Sequence, residues 1–110
     1  MTISKVSGTT WSITVDDATE GQSFSTDQTY TGPAASAEWI VEASETDGTE
    51  ATLAAYSPTG FTGVSADRPD STELAVHMVQ NDAIVSVPSA PGEAGTSFNV
   101  DYGESIPAPP

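Results

Sequence analysis

Two glutamates, Glu38 and Glu42, sit in the run Ala37-Glu38-Trp39-Ile40-Val41-Glu42, and their type and spacing invite chemistry more than any other residues here. Paired carboxylates can divide general acid and general base work if both reach one scissile bond. Trp, Ile and Val favour strands, and the run is bounded by Thr31-Gly32-Pro33 and Thr46-Asp47-Gly48, so a strand is expected over 37–42. Side chains alternate along a strand, which puts Glu38, Ile40 and Glu42 on one face and Ala37, Trp39 and Val41 on the other. At a rise of roughly 3.3 Å per residue the two carboxylates stand about 13 Å apart. A two-carboxylate glycosidase needs about 5 to 10 Å. The pair is therefore not a dyad, and a catalytic Glu in this run must take its partner from elsewhere in the fold.

Other candidates are weaker. The single histidine, His77, has no acid or serine spaced for a triad and is expected to be structural or exposed. With one His and no Cys, a His-rich or thiolate metal site is excluded. Asp16-Asp17 and the Glu45 to Glu50 stretch are acidic loops that lack the D-x-D-x-D-G spacing of a calcium loop, so they read as solvated. Neither a phosphate-binding loop nor a nucleophile elbow is present. The expectation is no metal and no cofactor.

Charge narrows the partners further. Sixteen acidic residues stand against Lys5 and Arg68, for a net charge of −14, whereas nucleic acid and anionic membranes demand clustered Lys and Arg. Such acidity suits solubility by repulsion at neutral pH, and it equally suits work in acid, where carboxylates are largely neutralised. No apolar run is long enough to span a membrane, and Met1-Thr2-Ile3-Ser4-Lys5 lacks the apolar stretch of a signal peptide. Either the protein is cytoplasmic or these residues begin inside a longer precursor.

The elements that must position Glu38 and Glu42 are strands. Thr10 to Val15 alternates, with Trp11, Ile13 and Val15 on one face, and Gln22 to Tyr30 resumes the period after the turn Asp16-Asp17-Ala18-Thr19-Glu20-Gly21, so a hairpin is expected. After the 37–42 strand, short strands are expected over 51–56, 61–66, 74–79, 83–87 and 97–102. They are separated by Ser57-Pro58-Thr59-Gly60, Asp67-Arg68-Pro69-Asp70, Asn81-Asp82 and the loop 88–95. Trp11 and Trp39 read as core residues. One β-sandwich domain or half-domain over 1–104 is expected, followed by a flexible Pro-rich tail over 105–110. Several short strands with regular turn signals mean an all-β sandwich or barrel.

Several stretches taken together resemble the C-terminal half of the eqolisins, glutamic peptidases of the scytalidoglutamic peptidase type. They are Trp11-Ser-Ile-Thr-Val15, Thr19-Glu-Gly-Gln-Ser-Phe24, Tyr30-Thr-Gly-Pro33, Ser36-Ala-Glu-Trp-Ile-Val-Glu42, Leu53-Ala-Ala-Tyr56 and Ser97-Phe-Asn-Val-Asp-Tyr102. The specific part is Ala-Glu-Trp-Ile-Val-Glu. The resemblance implies an antiparallel β-sandwich of concanavalin or jelly-roll type, here an incomplete one. It also implies acid-active, secreted endopeptidase chemistry on polypeptide substrates. In that family a glutamate activates the attacking water and a glutamine amide stabilises the oxyanion.

The glutamate matches Glu38, while Glu42 and Tyr30 fall in supporting or substrate-cleft positions. The glutamine belongs to an N-terminal half of the sandwich that has no counterpart in these residues. Gln22, Gln28 and Gln80 do not match it. The alternative is a non-catalytic sandwich module that binds carbohydrate or protein, with Tyr30, Tyr56 and Trp39 as contacts.

Overall fold

The computed structural model describes residues 1–67 and 74–110. Among these the chain is all-β, with no helix, and every strand pairing is antiparallel. The expected break at Asp67 to Asp70, with Arg68, lies from residue 68 onward outside the described residues. Several antiparallel sheets form, as an incomplete β-sandwich requires. They fall into two compact units, Met1–Ser36 and Ala37–Pro110.

The first unit is a three-stranded meander of β1 (Thr2–Ser7), β2 (Thr10–Asp17) and β3 (Gln22–Thr29), with β2 central. The expected hairpin is β2–β3, in register from Thr10 opposite Thr29 to Asp17 opposite Gln22. The Asp17 carboxylate makes the turn by accepting from the Thr19 and Glu20 amides at 2.8 and 3.1 Å, and Gly21 takes the positive φ that the reversal needs. Strand β1 was not legible: Ile3 alternates with too few apolar partners to announce a strand.

Trp11 is half-buried rather than core. Its ring meets the Tyr30 ring edge-on at 6.2 Å and carries the Lys5 ammonium 5.9 Å above it. Phe24 and Val15 of the expected apolar face stay exposed.

The second unit holds a four-stranded sheet and a separate small hairpin. The sheet runs β6 (Thr59–Thr62), β9 (Ser97–Tyr102), β8 (Ala83–Pro88), β7 (Met78–Gln80). The hairpin pairs β4 (Glu45–Thr46) with β5 (Thr49–Glu50). Two-residue turns close β4–β5 at Asp47-Gly48 and β7–β8 at Asn81-Asp82, with φ positive at all four residues, the geometry that matches strand twist. The acidic loop expected at 45–50 is thus a tight hairpin.

Val87, Val100 and Leu53 are the buried hydrophobic residues among those described. Phe61 lies opposite Phe98 across β6–β9, and their rings stack at 4.7 Å. The tail adds no strand, but the Asn99 side-chain amide donates to the Ala108 carbonyl at 2.9 Å.

Four expected strands are corrected. Residues 51–56 form none, the strand expected over 61–66 is Thr59–Thr62, and the one expected over 74–79 is Met78–Gln80. The largest correction is at 37–42, where no strand forms either. Its pattern of burial nevertheless has the expected period: Trp39, Val41 and Ala43 are half-buried, while Glu38, Ile40 and Glu42 are exposed. Strand propensity records how well side chains fit a pleated, half-covered surface, and it does not supply the neighbouring backbone a ladder needs. Within the described residues no backbone pairs with 37–43; pairing starts at Ser44, whose carbonyl accepts the Ala51 amide at 2.9 Å.

The same contrast in burial sets what substitutions should cost. Val87 is 1% exposed and Phe24 62%, so Val87→Ala should destabilise the protein by about 2 kcal/mol through lost packing. Phe24→Ser should change stability by about 0.5 kcal/mol or less. Urea unfolding followed by circular dichroism of the two variants checks this.

Candidate functional site

The site residues read from the sequence are distributed over both units. Glu38 and Glu42 belong to the second and Tyr30 to the first. Glu38 lies on a segment that forms no strand, is exposed, and has no hydrogen-bond partner among the described residues. Glu42 is also exposed, and it lines a shallow groove of about 360 Å³ together with Val41, Ala43, Leu53, Tyr56 and Thr59.

That groove exists because the β4–β5 hairpin does not continue past the Ser44–Ala51 bond. Its two arms, 41–44 and 51–54, become the walls. Glu38 lies on the same run but lines no part of this groove.

The second wall is held in place by Gln80, a residue the sequence reading set aside. Its side-chain oxygen accepts the Leu53 amide at 3.0 Å, and its side-chain nitrogen donates to the Ala51 carbonyl at 2.8 Å and to Glu50 Oε1 at 3.0 Å. A primary amide has the donor and acceptor of a peptide group. Gln80 therefore substitutes for a missing backbone neighbour along 51–53. Both of its N–H bonds are committed, so its amide is not free to stabilise an oxyanion. The sequence signal for this role was slight, a single amide on a strand ending in an Asn-Asp turn.

Tyr56, at the far end of the same wall, is tied down as well. Its hydroxyl donates to the Asp101 carbonyl at 3.2 Å and lies 2.6 Å from the Ser86 hydroxyl. A phenol has one proton, so Ser86 is the donor in the shorter bond. Ser86 is 3% exposed, and this bond satisfies it. The Tyr56 ring also meets Tyr102 edge-on at 5.8 Å. Tyr56 is a structural wall residue with one apolar face on the groove.

In the first unit Tyr30 lines a different groove, of about 350 Å³, with Trp11, Ile13, Ile3 and Gln28. Its ring folds back over Gly32, so a Cβ there would need the exposed Tyr30 side chain to move aside. Gln28 donates its side-chain amide to Thr26 Oγ1 at 3.2 Å. His77 is exposed. Among the described residues no three His, Cys, Asp or Glu side chains converge as a metal site would need, and Asp17 is occupied in its turn.

These residues together offer one ionisable group, Glu38, in the open on a segment that forms no strand, beside a groove walled by a second acid, Glu42. A carboxylate so placed can take a proton from water or hold a cationic group, and it has no electrophilic partner among the described residues. Compared with known families, residues 1–106 match the model described as the Peptidase A4 family. No curated protein and no solved structure matches the chain.

The dependence of the groove on Gln80 is testable. Gln80→Glu keeps an acceptor for Leu53 but replaces the donor with a second carboxylate against Glu50 and the Ala51 carbonyl. It should destabilise the protein by about 2 kcal/mol at pH 7. The introduced acid is disfavoured in its charged form in the fold, so the loss should grow as pH rises and shrink towards pH 3, where Gln80→Leu should show no such recovery. Urea titrations of both variants at pH 3 and pH 7 measure it.

Proposed function

Because the chain belongs to the Peptidase A4 family, we propose that it contributes Glu38 as the general base of an acid-active glutamic endopeptidase. The observation that carries this reading is the position of Glu38: the first acid of Ala37-Glu38-Trp39-Ile40-Val41-Glu42, exposed on the open side of a segment whose other side holds Trp39 and Val41 half-buried. In the proposed reaction Glu38 takes a proton from a water molecule as that water attacks a peptide carbonyl. A base works best when its pKa lies near the working pH, and a glutamate suits acid for that reason. Glu42, on the groove wall, supports the substrate chain, and Tyr30 serves as an aromatic contact on the first unit's own groove.

A tetrahedral intermediate needs a donor for its oxyanion, and in acid an uncharged amide serves well. Gln80 is committed to residues 50–53, so the donor in this reading comes from a partner segment, the N-terminal half of the same sandwich. The substrate is a polypeptide, and the setting is extracellular and acidic. A second reading rests on the groove of the first unit, where Trp11 and Tyr30 pack edge-on beside Gln28. Such a surface suits binding of a sugar or peptide without catalysis.

With the N-terminal half present, Glu38→Gln should lower the cleavage of a denatured protein at pH 3 by about 100-fold or more, whereas Glu42→Gln should have a much smaller effect. Equal cleavage by the Glu38→Gln variant and the parent would show that Glu38 is not the base. Residues 1–110 alone should cleave poorly, and vigorous cleavage by them would remove the need for an outside donor. Tyr30-dependent retention on a glycan or peptide array, with no cleavage in either case, would favour the binding reading.

A further inference from the structure

The segment Ala37-Glu38-Trp39-Ile40-Val41-Glu42-Ala43 reads almost the same in both directions about Ile40. Antiparallel pairing of two identical strands is the arrangement in which such symmetry matters, because residue i of one then faces the symmetry-related residue of the other. With Ile40 opposite Ile40 of a second copy, Ala37 faces Ala43, Glu38 faces Glu42 and Trp39 faces Val41. The half-buried side then gains two aromatic to β-branched pairs, a favoured cross-strand combination. The backbone is open to it: 38–43 alternates in exposure, and 37–43 makes no ladder bonds among the described residues. An unpaired edge of that kind is a template for another strand.

The exposed side opposes the match at neutral pH. Each Glu38 would face Glu42 of the other copy, like charges directly opposite destabilise a pair, and each chain carries a net charge of −14. One proton per pair reverses this, because a carboxylic acid and a carboxylate form a short, charge-assisted hydrogen bond. Complementarity therefore appears in acid. The other titratable group on the groove with Glu42 is the Tyr56 hydroxyl, which is committed to Ser86 and Asp101. Glu45 and Glu50 on the adjoining hairpin add to the negative field, and Glu38 has no charged partner among the described residues.

We propose that residues 37–43 are a self-pairing edge through which two copies of this chain join in antiparallel register about Ile40 when acid protonates one carboxyl of each facing Glu38–Glu42 pair. This goes beyond the catalytic reading and competes with it, since a Glu38 held against Glu42 of a second copy is not free to act as a base; its readout is the state of association rather than cleavage, so the two can fail separately.

Sedimentation of the 110-residue chain should show a monomer at pH 7 and a dimer at pH 3, with association at least tenfold tighter in acid. The double variant Glu38→Gln, Glu42→Gln should dimerise already at pH 7, where acid unfolding plays no part. Along an antiparallel strand, neighbouring residues point their N–H groups alternately towards and away from the partner. At least one of Ile40→Pro and Val41→Pro, placed in the Gln background, must therefore restore the monomer at pH 7.

The chain has no cysteine, so Ile40→Cys in the same background should form a disulfide-linked dimer on mild oxidation. A parent and a double-Gln variant that stay monomeric at both pH values overturn the proposal. So does a dimer unaffected by both prolines, or a parent that at pH 7 instead binds an extended peptide with lysines four residues apart.

Discussion

The requirement that each backbone N–H and C=O find a partner governs the whole of the second unit. Along 51–53 that requirement is met by one side chain, Gln80, whose amide stands in for a strand. Along 37–43 no described residue meets it. The groove beside Glu42 is the space left where the β4–β5 ladder stops and these two unequal arms separate. The location of the acids, the shape of the groove and the open edge thus follow from where hydrogen bonding ends.

The same constraint separates structural from chemical groups. Tyr56 and Gln80 look from their types like donors that a catalytic site could use, yet each is saturated by neighbours that would be left unsatisfied without it. Removing either partner from a part-buried bond costs more than the bond's net contribution, which makes such groups poor recruits for a transient oxyanion. Glu38 is the opposite case, exposed and unengaged among the described residues. A base can be supplied this way, but an oxyanion donor cannot, and so the proposed peptidase chemistry looks to a partner segment for its amide.

The sequence made much of this visible. Alternation at Thr10 to Val15 and the Asp16 to Gly21 turn located β2–β3, Asn81-Asp82 located a two-residue turn, and Phe98, Val100 and Tyr102 located β9. The inner and outer faces of 38–43 were also legible, because period-two patterning in the sequence became period-two burial there, though Ala37 is exposed. What was hidden depends on contacts distant in sequence. A side chain twenty-seven residues from Leu53 replaces a strand there, and no pattern within 51–56 reveals that. The ladder expected at 37–42 needed a neighbour, and propensity is silent about neighbours. Glu38 could be singled out from its motif, while its lack of any local amide partner could be seen only in the fold.

Amide hydrogen exchange of the monomer at neutral pH, resolved by residue, tests the central claim most directly. Exchange reads out which amides are held in ladders and which open freely. The account predicts that the amides of residues 38–43 exchange close to unprotected rates, while those of Val87 and Val100 in the central strands are strongly protected. Protection across 38–43 comparable to that of the central strands would contradict it, since the segment would then already be paired.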